Sequence, residues 1–394
     1  MVNRQNPKDS ANVVHSSHRR PSILVVFGTR PEAIKMAPVV AALRAEPSLQ
    51  TLVAVTAQHR EMLDQVLDIF RIEPDVDLNL MQQNQSLDSL AARILTSFGM
   101  MLDDVMPARV LVHGDTLTTM MATLAAYFRK IPVGHVEAGL RSGNIYSPWP
   151  EEVNRRVTGT IADLHFAPTA AARDALLAEN VPAHSISVTG NTVIDALLTM
   201  RKRLATEPGI ASGLDGLTRR FSGRRIIGVT SHRRENFGSG MAAIADGIAR
   251  IAARDDVAVI FPVHPNPSVR PVMEERLGRL DNVALIEPLD YPHFVRLMDI
   301  SDILLTDSGG VQEEAPSFNK PVLVMRDTTE RPEGIAAGCA KLVGTAANTI
   351  VSEVFTLLDD SAAYRAMAQV QNPYGDGTAA AKIAGIIAHA HCQN

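Results

Sequence analysis

The chain has 394 residues, 46% of them hydrophobic but only 4% aromatic, and a formal net charge of -5. That length exceeds one ordinary core and predicts two domains, while the few aromatics and the mildly acidic balance argue against a stacking nucleic-acid platform or any polyanion partner. Two cysteines, Cys339 and Cys392, give neither a disulfide framework nor metal-ligand spacing, so the reading is a reducing cytoplasm and no metal site. No apolar run is long enough to span a membrane.

In chain order, residues 1–21 are polar, with His15, His18, Arg19 and Arg20 but no apolar centre, and read as a disordered lead rather than a secretory signal. Short apolar runs then alternate with helix-length amphipathic ones: Ile23–Phe27, Leu52–Thr56, Val110–His113, Val133–Glu137, Leu164–Pro168 and Ile186–Thr189 are the expected strands of a doubly wound α/β domain over 22–195. The texture loosens between Met200 and Arg225. The alternation restarts at Ile226–Thr230, Val257–Val263, Val283–Ile286, Ile303–Thr306 and Val322–Met325, giving a second Rossmann-like domain over 196–372. The last stretch is helical in pattern and broken at Asn372-Pro373-Tyr374-Gly375, and residues 373–394 are expected to pack back on the first domain.

The strand exits carry the chemistry. After the first strand, Gly28-Thr29-Arg30-Pro31-Glu32 opens a helix in which Arg30 and Lys35 bring cations to an end that already favours anions, so phosphate is the natural ligand; the Walker spacing is absent. His113-Gly114-Asp115-Thr116 follows the third strand, and Asp115 reads either as a cap for the helix expected at Met120–Lys130 or as a crevice acid beside the next strand's exit. The stretch Gly134–Arg156 gathers His135, Glu137, Glu151, Glu152, Arg141, Arg155 and Arg156 into one loop and the helix opening at Glu151. Glu137 at a strand's carboxyl end points to the crevice where open sheets bind ligands, whereas Glu152 reads equally as a solvated acid. Carboxylates sharing a dry pocket would raise one another's pKa, making one a usable acid near neutrality.

In the second half, Ser231-His232-Arg233-Arg234-Glu235-Asn236 delivers His232 and Arg233 to the cleft as phosphate or leaving-group contacts. Gly238-Ser239-Gly240 lies too far from its strand for a dinucleotide fingerprint, so no nicotinamide or other cofactor is expected. Thr306-Asp307-Ser308-Gly309-Gly310 runs from strand to helix as an anion cradle suited to pyrophosphate, and Glu314 one turn on can reach a ribose diol. Arg331 reads either as a cleft contact or as part of a solvated charged loop.

Taken together, FGTRPEAIKMAP, TAQHREMLDQ, VHGDT, GHVEAGLRSG, SPWPEEVNRR, TGNTVIDAL, HRREN, LTDSGGVQEEAP, MRDTTERPE and NPYGDG resemble the bacterial UDP-N-acetylglucosamine 2-epimerases of the non-hydrolysing type from about Ile23 to Gly377. The resemblance implies two Rossmann-like domains facing a cleft, of the glycosyltransferase-B type. It places nucleotide contacts on Arg30, His232, Ser308, Gly309, Gly310, Glu314 and Arg331, with Leu289 and Phe294 near the base. Lys35, Asp115, Glu137, Glu151 and His232 fall at the reacting sugar, and Arg155 and Arg233 join the substrate contacts. It further implies a homodimer, no cofactor, and the substrate acting also as activator at a second site, for which Gln58, His59 and Gln65 are the candidates. Ser231 departs from the family's commoner Gly, and the polar lead is extra. A hydrolysing epimerase, an epimerase of a related diacetamido sugar, a retaining glycosyltransferase and a sugar-nucleotide binding module are the alternatives.

Overall fold

The computed structural model describes residues 20–56, 60–80 and 85–392. Most of the expected lead, and the activator candidates Gln58 and His59, lie outside the described residues.

The first sheet contains β1 (Ser22–Phe27), β2 (Gln50–Val55), β3 (Val76–Asp77), β4 (Arg109–His113), β5 (Val133–Val136), β6 (Leu164–Ala167) and β7 (Ile186–Val188) in the order β3-β2-β1-β4-β5-β6-β7. The second contains β8 (Arg225–Thr230), β9 (Val257–Pro262), β10 (Val283–Ile286), β11 (Ile303–Thr306), β12 (Val322–Val324) and β13 (Ala340–Leu342) in the order β10-β9-β8-β11-β12-β13. Every strand pairing is parallel. Parallel strands need crossovers, and helices on both faces bury the sheet, which is why β1 and β4 read as unbroken apolar runs. Both orders are doubly wound, with the reversal between β1 and β4 in one sheet and between β8 and β11 in the other. The loops leaving those four strands are the ones singled out above, so each sheet offers its crevice to the same motifs.

Two short edge strands, β3 and β13, have too few residues to show a pattern. The helix expected at Met120–Lys130 runs instead from Leu117 to Tyr127, because Thr116 caps it through a hydrogen bond from the Thr119 amide. The loose stretch after Met200 is also more helical than its texture suggested: the helix Thr192–Thr206 carries the chain across the expected division at 195/196.

One apolar cluster is shared by both halves, bringing Phe27, Met36 and Val40 together with Tyr291, Val295 and Leu304. The terminal helix Ala379–Cys392 adds Ile383 and Ile387 to it and packs on the helix Arg30–Ala45. Its entry is fixed by Asp195, whose buried carboxylate accepts from the Ala379 and Ala380 amides at 3.3 and 2.9 Å. That carboxylate satisfies orphan donors of a helix far along the chain, a tertiary version of an N-cap.

Candidate active site

Gly28 turns the chain out of β1 beneath the paired hydroxyls of Thr56 and Thr118, 2.9 Å apart, and a Cβ there would run into both. The helix Arg30–Ala45 then opens with a capping box: Thr29 accepts from the Glu32 amide while Glu32 accepts from the Gly28 and Thr29 amides at 3.0 and 2.8 Å. Glu32 also accepts from the Thr116 hydroxyl at 2.7 Å, locking the exits of β1 and β4 to each other. The Thr-x-x-Glu spacing was the readable signal for this residue. Arg30, at the helix amino end, forms no hydrogen bond or ion pair among the described residues, and Lys35 one turn on points to Glu137.

Glu137 leaves β5 with φ of 60°, a left-handed conformation uncommon for a residue with a side chain and one that concentrates at functional sites. Its side chain, 9% exposed, pairs with Lys35, and His113 Nε2 lies 3.5 Å from the same oxygen, Oε2. Burial pushes the Glu137 carboxyl up, but the Lys35 ammonium overrides it and holds the group well below the usual carboxylate range. Burial likewise pulls Lys35 down, and Glu137 and Glu313 outweigh it, leaving the lysine raised. The expected mutual raising of the site's acids is therefore corrected for Glu137, which a cation keeps ionised.

Asp115 is not the helix cap, since Thr116 fills that role; its carboxylate pairs with Arg155 of the helix Glu151–Ile161, and its carbonyl accepts from Asn154 Nδ2 at 2.8 Å. Arg155 also lies 3.5 Å from Glu152. Glu152 is not a solvated acid: it is fully buried, accepts from the Ser142 amide and Arg156 Nε at 3.0 Å each, and braces the loop that precedes its helix. Glu151 Oε2 is buried without a hydrogen-bond partner among the described residues, leaving an acceptor on offer at the helix amino end. The buried His135 spends its Nε2 on the Gly114 carbonyl at 2.7 Å, and burial drops its pKa to about 3, so it supports the β4 exit as a neutral ring.

Across the cleft, a cavity of about 220 Å³ is lined by His232, Leu289, Phe294, Ser308, Gly310 and Glu314, together with Pro262, His264 and Pro288. Leu289 and Phe294 supply an apolar wall. The Ser308 side chain makes no capping bond to the helix Gly309–Glu314, so its hydroxyl remains available beside the Gly309 and Gly310 amides. Arg233 and Arg331 flank that turn, their guanidinium atoms 3.8 and 3.9 Å from where a Cβ on Gly309 would stand. Two cations and a row of donors converging on one turn are an arrangement suited to an anion. Burial raises the Glu314 carboxyl to about 8, with Glu313 adding to the rise, so it is the neutral acid of the site near pH 7. Arg331 belongs to the cleft rather than to a solvated loop, because Glu313 binds its Nε.

The loop carrying His232 is organised by Asp307, which is fully buried and accepts from the Ser231 hydroxyl at 2.9 Å, the His232 amide at 2.9 Å, the Arg233 amide at 3.0 Å and Asn236 Nδ2 at 3.1 Å. Ser231 thus has a partner that glycine would not provide. His232 stacks on His264 with ring centroids 5.7 Å apart; partial burial lowers its pKa, against the opposing pull of Asp307. Asp307 and Glu313 were not singled out from the sequence, since their importance lies in partners distant along the chain. Gln65 sits exposed on the helix Arg60–Phe70.

Two doubly wound units that meet where Lys35 and Glu137 of the first approach Glu313 of the second, with a cavity beside the Ser308-Gly309-Gly310 turn of the second, have the architecture of the glycosyltransferase-B type. Residues 41–388 match the family model described as UDP-N-acetylglucosamine 2-epimerase. The UDP-N-acetylglucosamine 2-epimerases of Salmonella typhimurium and Escherichia coli are 54% and 53% identical to this chain, each over 92% of it and 96% of the relative. The crystal structure of UDP-GlcNAc 2-epimerase from Neisseria meningitidis bound to UDP-GlcNAc superposes with a TM-score of 0.82 at 48% identity, over 95% of this chain and all of that one. The chain belongs to the UDP-N-acetylglucosamine 2-epimerase family.

Proposed function

We propose that the protein interconverts UDP-N-acetylglucosamine and UDP-N-acetylmannosamine by inverting C2, without hydrolysis and without a redox cofactor. The observation that carries this reading is the placement of an ionised, strained acid, Glu137, across from the Ser308-Gly309-Gly310 cradle, with Lys35, Glu313 and Arg331 bridging the two. Uridine packs against Leu289 and Phe294, Glu314 meets the ribose diol, and Ser308, the Gly309 and Gly310 amides, Arg233, Arg331 and Arg30 hold the diphosphate.

The substrate's own chemistry dictates the order of events. Its C2 hydrogen is not beside a carbonyl, so the anomeric C–O bond breaks first and its electron pair leaves with UDP, whose charge the cradle stabilises. A carboxylate then takes the C2 proton, and the C2–H pair becomes the C1–C2 double bond of a glycal. Returning a proton to the opposite face while UDP re-adds at C1 inverts the centre. Asp115, Glu137 and Glu151 share the proton transfers as one group and His232 assists at the leaving group.

The same reading has the protein act in the cytoplasm as a homodimer, with the substrate also an activator bound near Gln58, His59 and Gln65, and feed cell-surface polysaccharide synthesis. The same reading divides the chain into 22–195 and 196–372, joined through the helix Thr192–Thr206, with 373–394 returning to the first. Supplying UDP-N-acetylglucosamine with no acceptor tests the activity: UDP-N-acetylmannosamine should accumulate to an equilibrium. A glycosyltransferase would leave the substrate unconverted, a binding module would only bind it, and a hydrolysing enzyme would release free sugar and UDP.

A further inference from the structure

The acid on one sheet and the anion cradle on the other are joined through a single buried carboxylate. Glu313, whose side chain is 3% exposed, directs Oε1 at Arg331 Nε, while its Oε2 lies 4.0 Å from Lys35 Nζ and accepts from Asn191 Nδ2 at 3.3 Å. Lys35 is paired in turn with Glu137, and Arg331 reaches the Gly309 turn. The result is an alternating chain of charge, Glu137–Lys35–Glu313–Arg331, that crosses from one unit to the other through a water-poor interior.

We propose that Glu313 is a positioning residue that couples diphosphate capture at the Ser308-Gly309-Gly310 turn to the basicity of Glu137, by sharing its charge between Arg331 and Lys35. This rests on the sugar-nucleotide reading of the site. A diphosphate that draws on Arg331 leaves Glu313 less compensated. Its pull on Lys35 then strengthens, and Lys35 holds Glu137 less tightly. Such transfers are strong where the effective dielectric is low. Glu137 is thus held ionised by Lys35 in the free protein and becomes a better proton acceptor only once the leaving group is gripped. Removing the Glu313 charge leaves Lys35 with Glu137 as its sole partner in the chain, and a carboxylate so held is a poor base.

Glu313 also has a purely architectural contact, since its backbone carbonyl accepts from Asn372 Nδ2 at 2.8 Å. That contact depends on the main chain and not on the side-chain charge, so the two roles separate. Glu313→Gln preserves shape, removes the charge and keeps one acceptor oxygen, at the loss of one of the two hydrogen bonds that Oε1 and Oε2 accept from Arg331 and Asn191. With the full chain, UDP affinity by calorimetry should stay within about threefold of wild type, whereas kcat for UDP-N-acetylglucosamine should fall about tenfold or more, the scale of a typical coupling between sites. The acid limb of the kcat/KM profile should move to lower pH, because Glu137 is then more firmly ionised.

A wild-type kcat and pH profile in that variant would overturn the proposal, as would a loss confined to KM and UDP affinity, which would make Glu313 a support for Arg331 alone. Should Glu313→Gln fail to fold, Asn191→Ser decides: it retains an oxygen to cap the helix Thr192–Thr206 and removes only the hydrogen bond that steers Oε2 toward Lys35. A lowered kcat with unchanged UDP affinity supports the coupling, and an unchanged kcat refutes it. Wild-type protein that binds UDP but never converts the sugar nucleotide would defeat the functional reading itself, and this proposal with it.

Discussion

Replacing Asp307 tests whether the second unit's loop is prebuilt for an anion. The carboxylate has no solvent exposure and collects four donors, two of them backbone amides that carry His232 and Arg233 to the cavity. In Asp307→Ala those donors lose their partner in a site closed to water. Hydrogen bonds to a charged group contribute about 1.5–3 kcal/mol each but do not add, and dismantling a buried charged network costs about 3–5 kcal/mol. Against a total stability of about 5–15 kcal/mol the variant should remain folded at low temperature but unfold at markedly lower denaturant concentration. Because Arg233 is released from the Gly309 turn, UDP affinity should drop about tenfold or more, the scale for losing one charge-assisted contact. Chemical denaturation and calorimetry with UDP read the two effects separately. A variant with wild-type denaturation midpoint and wild-type UDP affinity would refute the role given to Asp307.

Asp115→Asn, Glu137→Gln and Glu151→Gln should each keep near-normal UDP binding and lose turnover by about 10²–10⁴-fold, the range for removing a positioned acid or base; full activity in all three well-folded variants would misplace the chemistry. Ser308→Ala and Arg331→Ala should do the reverse and weaken UDP in direct titration. Burial holds Glu314 neutral below about 8, so a negative charge appears in the pocket proposed for UDP as pH rises through that value. UDP affinity should therefore fall through that range, by up to about tenfold per pH unit beyond the pKa, and Glu314→Gln should flatten the dependence. UDP alone should draw the two units together, since the contacts proposed for it lie mainly on the second while Arg30 belongs to the first; small-angle scattering at saturating UDP would show an unchanged radius of gyration if it does not.

The architecture was legible because parallel strands buried on both faces must be apolar along their length, and eleven such runs stand out between helix-length segments. The edge strands Val76–Asp77 and Ala340–Leu342 were not, being too short to carry a pattern. The site was legible where chemistry is local, as at Ser308-Gly309-Gly310, whose residues directly follow a strand. It was illegible where a residue acts through distant partners: Glu152 looks like any helix-terminal acid until Ser142 and Arg156 close on it, and Glu313 gains meaning only when Lys35 arrives from the other unit. Charge states followed the same division. Neighbouring carboxylates suggested mutual raising, but the fold inserts Lys35 beside Glu137 and holds it low, so the raised acid is Glu314 on the other unit, lifted by burial with Glu313 adding to the rise.

The elimination and re-addition route stands or falls on the fate of one hydrogen. If a carboxylate removes the C2 proton and the glycal is re-protonated by the enzyme, turnover in heavy water should place deuterium at C2 of the UDP-N-acetylmannosamine formed, and of substrate regenerated from it. Mass spectrometry and proton NMR of the equilibrated sugar nucleotides read this directly. Product carrying its original hydrogen at C2 would contradict the account, because a transient oxidation would return the same hydrogen and a proton exchanged through Asp115, Glu137 or Glu151 would not.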